Sequence, residues 1–201
     1  MGRKGLEEAA ILREAVLLIA EEGMEGFSLR GLARRLHVQS ASLYNHVSSL
    51  EELLIRVACH VIDEMNKVLY RALEGRAGDE AVTALFHAYR DYVHANPEVY
   101  RVVLALPRME GEAVAAAAAQ ITGPVQRVLE DYELTPEEQV HCQRYLRSLM
   151  HGFATLENRG YLSHMEPPAG ESYEFLIACA LEQLHRMGGG RAPWVSAETG
   201  G

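Results

Sequence analysis

The sequence predicts an all-α fold of about nine helices, a three-helix helix-turn-helix head followed by a larger helical body, and three observations carry that expectation. Apolar residues recur at helical spacing from near the N-terminus to about residue 187, with no credible strand pairing. Proline and glycine punctuate this pattern at short breaks, as at Asn96-Pro97, Thr122-Gly123-Pro124, Thr135-Pro136 and Pro167-Pro168. The stretch 28–54, SLRGLARRLHVQSASLYNHVSSLEELL, reads as two short helices around a tight turn, followed by a freshly capped third.

Taken in order, Ile11, Leu12, Ala15, Val16, Leu18, Ile19 and Ala20 make a helix from Leu6 to Glu22, which Gly23 and Gly26 end. Ser28 caps the second helix by accepting a backbone N–H two or three residues on, and Phe27 before it can staple onto Leu32. Leu29, Leu32, Ala33 and Leu36 form the apolar stripe of that helix and leave Arg30, Arg34 and Arg35 facing water or something anionic. The third helix spans about Ser40 to His46, with Leu43 as its single apolar anchor. Gln39, Ser40, Ser42, Tyr44, Asn45 and His46 around that anchor can all hydrogen-bond. Short polar side chains near a helix start suit the major groove of double-stranded DNA, where they reach base edges or phosphates. This segment is therefore expected to read DNA.

A fourth helix opens at Ser49, whose hydroxyl forms a capping-box pattern with Glu52, and it runs to about Leu73. At 1.5 Å per residue that is about 35 Å, enough to connect the head to the body. Glu74 to Asp79 breaks it, and helices follow at about 79–95, briefly after Pro97, then at about 110–131, 136–158 and 171–187. A kink or split is expected at Gly123-Pro124. The alanine run from Ala113 to Ala119 is strong helix former. The tail from Gly188 is glycine-rich, carries the lone Trp194 and is expected to be mobile. The expected division is a head over 1–50, a body over 51–187 and a tail over 188–201.

The chain carries a net charge of −9, which looks wrong for a DNA binder until it is divided along the sequence. Residues 1–50 hold six Lys or Arg (Arg3, Lys4, Arg13, Arg30, Arg34, Arg35) against six Glu, so the remainder carries the whole excess. The acids sit on the first helix and the bases at the N-terminal arm and the second helix. That is a local positive face on an acidic protein. Cys59, Cys142 and Cys179 are odd in number and widely spaced, which points to reduced thiols rather than a disulfide framework. No stretch approaches the roughly 18 apolar residues of a membrane span, and MGRKGLEEAA lacks a signal peptide's apolar core, so a cytoplasmic location is expected.

The head resembles the DNA-binding domain of the tetracycline-repressor (TetR) family in its hydroxyl cap, its LAxxL-type second helix, and Val38, Leu43, Tyr44, His46, Val47, Leu53 and Leu54. The resemblance implies that Arg30, Gln39, Ser40 and Ser42 touch bases, while Tyr44 and His46 mainly hold phosphates. The family usually has Gly where His37 stands and Lys where Leu50 opens the fourth helix. His tolerates the left-handed turn better than most residues, whereas Leu50 removes a cation that commonly meets the DNA backbone. The segments AYRDYVHANPEVYRVVL and SLMHGFATLENRGYL resemble a C-terminal domain type with a Trp-His-Gly signature, here Met150-His151-Gly152. The resemblance implies a homodimer built by the last two long helices. Apolar stripes are available for it in Val140, Leu146, Leu149, Phe153 and Leu156, and in Leu176, Ala180, Leu181 and Leu184.

The body is rich in polar aromatics and histidines, and Phe86, Tyr89, Tyr92, His94, Tyr100, Tyr145 and His151 are candidates to line a mostly apolar effector pocket. His87 and His94 share a helix face, as do His60, Asp63 and Glu64, but neither set has a fourth convergent ligand, and no metal or cofactor is expected. There is no phosphate-cradling glycine loop, nucleophile elbow or paired-carboxylate site, so an enzyme is not expected. The expected function is a DNA-binding regulator, a repressor released by a small apolar or aromatic ligand. The alternatives are a helical protein-binding module, kept open by Leu50 and the neutral head, and a metal- or redox-responsive regulator.

Overall fold

The computed structural model describes residues 7–106 and 112–188, and all regular structure among them is helical. Ten helices follow one another: α1 (Glu8–Gly26), α2 (Leu29–Arg35), α3 (Ser40–Leu43), α4 (Leu50–Leu73), α5 (Gly78–Ala95), α6 (Pro97–Ala105), α7 (Glu112–Gln120), α8 (Gly123–Leu129), α9 (Pro136–Asn158) and α10 (Ala169–Gly188). The arm with Arg3 and Lys4 and the tail with Trp194 lie outside the described residues.

Among the described residues two compact units form, one from 7–65 with 95–106 and 112–121, the other from 66–94 with 122–188. This packing follows other lines than the expected segments 1–50 and 51–187, because α6 joins α1 instead of the body. In the first unit α1 buries Ile11, Ala15, Leu18 and Ile19, and α6 buries Val99, Tyr100, Val102 and Val103. Each Ile, Leu or Val among them is worth about 1.5–3 kcal/mol over leaving it exposed. Arg101 of α6 binds Glu25 of α1 and, at 2.9 Å, Glu98 of its own helix. Regular helix in α1 stops at Gly23, whose φ of 74° is open to glycine at little cost.

The 110–131 run splits into α7 and α8, as Gly123-Pro124 predicts, and the split falls at the boundary between the units. In the second unit a Cβ at Gly123 would lie 2.4 Å from the Tyr70 hydroxyl, so a larger residue there would push that exposed ring aside. Thr135 caps α9 in a full capping box: its hydroxyl accepts from the Glu138 N–H at 3.3 Å, and the Glu138 carboxylate accepts from the Thr135 N–H at 2.8 Å.

Helices α9 and α10 form an antiparallel hairpin, with Cys142 against Met187 (3.4 Å between sulfurs) at one end and Phe153 against Tyr173 (ring centroids 4.8 Å apart) at the other. The apolar stripes expected for dimerisation are partly used inside the subunit. Leu146, Ala180 and Leu184 are fully buried, while Val140 and Leu156 stay exposed. Helical periodicity marks a stripe as apolar without saying which neighbour it meets.

Candidate nucleic-acid interface

Ser28 caps α2 as predicted, its hydroxyl accepting from the Gly31 N–H at 3.1 Å. The turn to α3 closes with the Val38 N–H donating to the Ala33 carbonyl at 3.0 Å, and His37 takes the left-handed conformation at φ 55°. Helix α3 is a single turn, continued as a bend through Tyr44–His46, where the His46 and Val47 N–H groups both donate to the Leu43 carbonyl at 2.8 and 3.0 Å. Leu43 and Val47 are buried beneath it with Phe27, Leu32 and Ala33. This apolar floor fixes the outward direction of everything between.

On that outward side Gln39, Tyr44, Asn45 and His46 are exposed and Ser40 and Ser42 half-buried, so all six polar residues lie on accessible surface around one anchor. Tyr44 is 58% exposed, a large aromatic that the chain itself does not cover. Arg30 and Arg34 are exposed and make no ion pair among the described residues. For Arg35 the anionic partner lies within the chain. Its guanidinium is taken by α1, at 2.8 Å from Glu14 and 2.5 Å from Glu21. These contacts raise the Arg35 pKa further and hold the Glu21 carboxyl below its usual range. Arg35 therefore ties α2 to α1, and the available positive charge on α2 is Arg30 and Arg34.

One residue at this surface escaped the sequence reading. Arg56 on α4 donates to the His46 carbonyl at 2.9 Å, pairs with Glu8 of α1, and lies 3.6 Å from Glu52. It thereby holds the end of the α3 bend against two other helices. The Glu52–Arg56 spacing of four residues was the available signal, but it reads equally as an ordinary surface pair. Leu50 opens α4 at 38% exposure, and the Ser49 hydroxyl accepts from the Glu52 N–H at 3.0 Å as the capping pattern predicts. The Glu52 carboxylate reaches one residue further back, to the Ser48 N–H and hydroxyl.

This geometry is shared. Residues 11–57 match the family profile described as bacterial regulatory proteins, tetR family, and residues 82–180 match the tetracyclin repressor-like C-terminal domain. The chain belongs to the TetR family. It is a helix-turn-helix transcriptional regulator with DNA-binding character. An HTH-type transcriptional regulator of Mycobacterium tuberculosis, Rv0681, is 33% identical over 186 residues, covering 92% of this chain and 85% of the relative. The regulator YobS of Bacillus subtilis is 31% identical over 155 residues, covering 77% and 80%. Among solved structures, a protein of unknown function from Rhodococcus sp. RHA1 superposes with TM-score 0.78 at 21% identity, covering 92% of this chain and all of that one. A TetR variant from Acinetobacter baumannii AYE in complex with minocycline superposes with TM-score 0.66 at 19% identity, covering 90% and 97%.

The TetR-family effector candidates are dispersed. Tyr100 belongs to the first unit, buried on α6. In the second unit Phe86 and Tyr89 are core residues, and Tyr92 is half-buried. His94 lies 2.8 Å from Glu157 at the surface, where Arg90 also binds that carboxylate and, with the histidine, depresses its pKa. His151 is half-buried, its pKa lowered by burial and then by Arg147. Tyr145 lines a groove of about 340 Å³ with His141, Gln183 and Met187. The sequence reading missed Tyr173. It is fully buried among Phe86, Phe153 and His87, with its hydroxyl donating to the Phe86 carbonyl at 2.7 Å and Arg90 over its ring at 4.9 Å.

The three cysteines are free, and burial pushes the Cys142 thiol up to about 11. No group of three or more His, Cys, Asp or Glu among the described residues is arranged to hold a metal ion. No helix among them is long and apolar enough to cross a membrane.

Proposed function

We propose that this TetR-family regulator is a homodimeric repressor that holds a pseudo-palindromic operator until a small apolar or aromatic ligand releases it. The carrying observation is the outward polar set around buried Leu43: Gln39, Ser40, Ser42, Tyr44, Asn45 and His46, with exposed Arg30 beside it. In this reading Arg30, Gln39, Ser40 and Ser42 meet base edges, Tyr44 and His46 mainly hold the phosphates, and Asn45 contributes to the same DNA-binding face. Two heads related by a two-fold axis through α9 and α10 reach successive major-groove turns, about 34–36 Å apart. The working place of such a protein is the cytoplasm.

Effector release is supported by the minocycline held by the Acinetobacter TetR variant, whose fold is similar, and by the aromatic and histidine content of the second unit. The candidates there are Phe86, Tyr89, Tyr92, His94, Tyr145 and His151, with Tyr100 in the first unit. Physics sets one condition. The ligand must bind the DNA-incompetent state more tightly, because equal affinity for both states shifts nothing.

The test is selection from a randomised duplex library at near-physiological salt, followed by sequencing of what is retained. Enrichment of a two-fold symmetric site is expected. A single asymmetric half-site would overturn the dimeric reading, and no enrichment would overturn sequence recognition in favour of a protein-binding module.

A further inference from the structure

A groove of about 640 Å³ opens between the end of α4 and the side of α5 that turns away from its core residues Leu85, Phe86 and Tyr89. Its floor is small and apolar, with Ala72, Ala84 and Ala88 half-buried. Its rim is acidic. Asp79, Glu80 and Asp91 stand exposed along it. Arg76 is already taken, by Glu80 at 3.2 Å and the Ala72 carbonyl at 2.5 Å, and His87 faces Glu174 at 3.6 Å. Such a groove fits an extended segment that carries a cation near a large apolar group.

The chain brings a segment of that kind to the end of the groove. Helix α10 runs antiparallel to α5, with His185 2.9 Å from Asp79 and Glu174 beside His87, so α10 ends where the groove begins. The Tyr132 hydroxyl donates to the other Asp79 oxygen at 2.7 Å and fixes that carboxylate at the mouth. Past Gly188 the sequence reads GGRAPWVSAETGG, which lies outside the described residues. At about 3.3 Å per extended residue, Trp194 can lie up to ~20 Å from Gly188, whereas Asp79 to Ala88 spans about 14 Å of α5 at 1.5 Å per residue. Gly189 and Gly190 permit the reversal that this path needs.

We propose that the groove holds the chain's own segment 189–195, with Arg191 against Asp79 and Glu80 at the mouth and the Trp194 ring over Ala84 and Ala88. The order of residues matches the order of the groove: the cation comes first and meets the carboxylates, and the indole follows and meets the alanine floor. Tethering favours this occupant over a free ligand. A segment attached a few residues away is present at an effective concentration on the order of mM, so a weak contact suffices to fill the site. Docked there, the segment bridges the last turn of α4 and the outer side of α5.

Trp194 is the sole tryptophan of the chain, so the fluorescence of the full-length protein reads this contact directly. The experiment is acrylamide quenching of that emission, native and urea-unfolded, over a dilution series, with helicity followed by circular dichroism. Expected are a blue-shifted native emission and a quenching constant at least about twofold below the unfolded value, which a docked state held by half the molecules or more produces. Ala88→Lys, which fills the floor, and Arg191→Glu, which sets like charges at the mouth, are expected to return quenching to the unfolded value with helicity unchanged. Arg191→Lys should behave as wild type. Because Arg191 lies outside the described helices, its two variants carry the test even if Ala88→Lys loses helicity. Native quenching equal to that of the unfolded chain overturns the docking and leaves the groove to another occupant, such as a small aromatic cation. A Trp194 that stays protected in Arg191→Glu overturns the groove as its place. Protection that fades on dilution overturns the chain's own segment as occupant in favour of that of a second copy.

Discussion

Arg56 donates through Nη1 to the carbonyl oxygen of His46 at 2.9 Å, which fixes the last residue of the α3 bend to the body of α4. The bend is only one turn of helix plus three residues, too short to hold its own shape. Its geometry is therefore borrowed from the helices around it. Arg56→Ala is expected to lower stability by about 1 kcal/mol in urea unfolding. It should also weaken binding to operator and non-operator duplexes alike, because the whole polar face loosens rather than one contact being lost. A variant that binds operator as wild type does would show that the bend holds without this bond.

The arginines of α2 are expected to separate by role. Arg30→Ala should cost about 1–3 kcal/mol of operator binding and relax base preference, as removal of a base-edge contact does. Arg35→Ala should leave preference intact and act on stability, since its guanidinium is taken by Glu14 and Glu21. Tyr44→Phe should weaken all sequences alike. Fluorescence anisotropy with operator and scrambled duplexes, beside urea unfolding of each variant, reads these apart; unchanged operator preference in Arg30→Ala would remove that residue from base reading.

His37 occupies a left-handed backbone position, φ 55°, that costs a side-chain-bearing residue about 1–2 kcal/mol. His37→Gly is therefore expected to raise stability by roughly 1 kcal/mol less the glycine's larger unfolded-state entropy, and His37→Val to lower it. Thermal unfolding of the two variants checks the order.

The Glu157 carboxyl is held below its usual range, first by its hydrogen bonds with Arg90 and to a lesser degree by His94. A depressed folded-state pKa contributes stability that is present above the unfolded carboxylate value of about 4.3 and is lost as pH falls through the lower folded value. Asp79, lowered by His185 and Tyr132, adds in the same direction. Wild-type stability should thus fall as pH drops below about 4.5, and Glu157→Gln should show a lower plateau near neutrality with a shallower acid limb. Urea unfolding from pH 7 downward measures both; an acid limb of unchanged slope would assign the effect to other carboxylates.

Much of the architecture is written locally and was legible for that reason. Ser28 and Ser49 announce their helices because a cap needs only a hydroxyl and an N–H three residues on. Gly123-Pro124 announces the split because proline cannot continue a helix from within it. The His37 turn and the outward polar set around Leu43 follow from residue type and spacing alone. Those same residues carry the family resemblance.

What the sequence could not determine was which of two possible neighbours a given face would meet. Arg35 and Arg30 look alike on α2, yet only the packing of α1 places Glu14 and Glu21 within reach of one of them. The stripe on α6 is apolar in any reading, and tertiary structure assigned it to α1. On α9 and α10 the periodicity gave the apolar residues, while the fold decided that Leu146, Ala180 and Leu184 turn inward and that Leu149, Gly152 and Leu156 are left facing out. The physical reason is the same in each case. Caps, turns and periods are set by residues within a few positions of one another, whereas burial and pairing depend on surfaces that meet only when the chain has closed on itself.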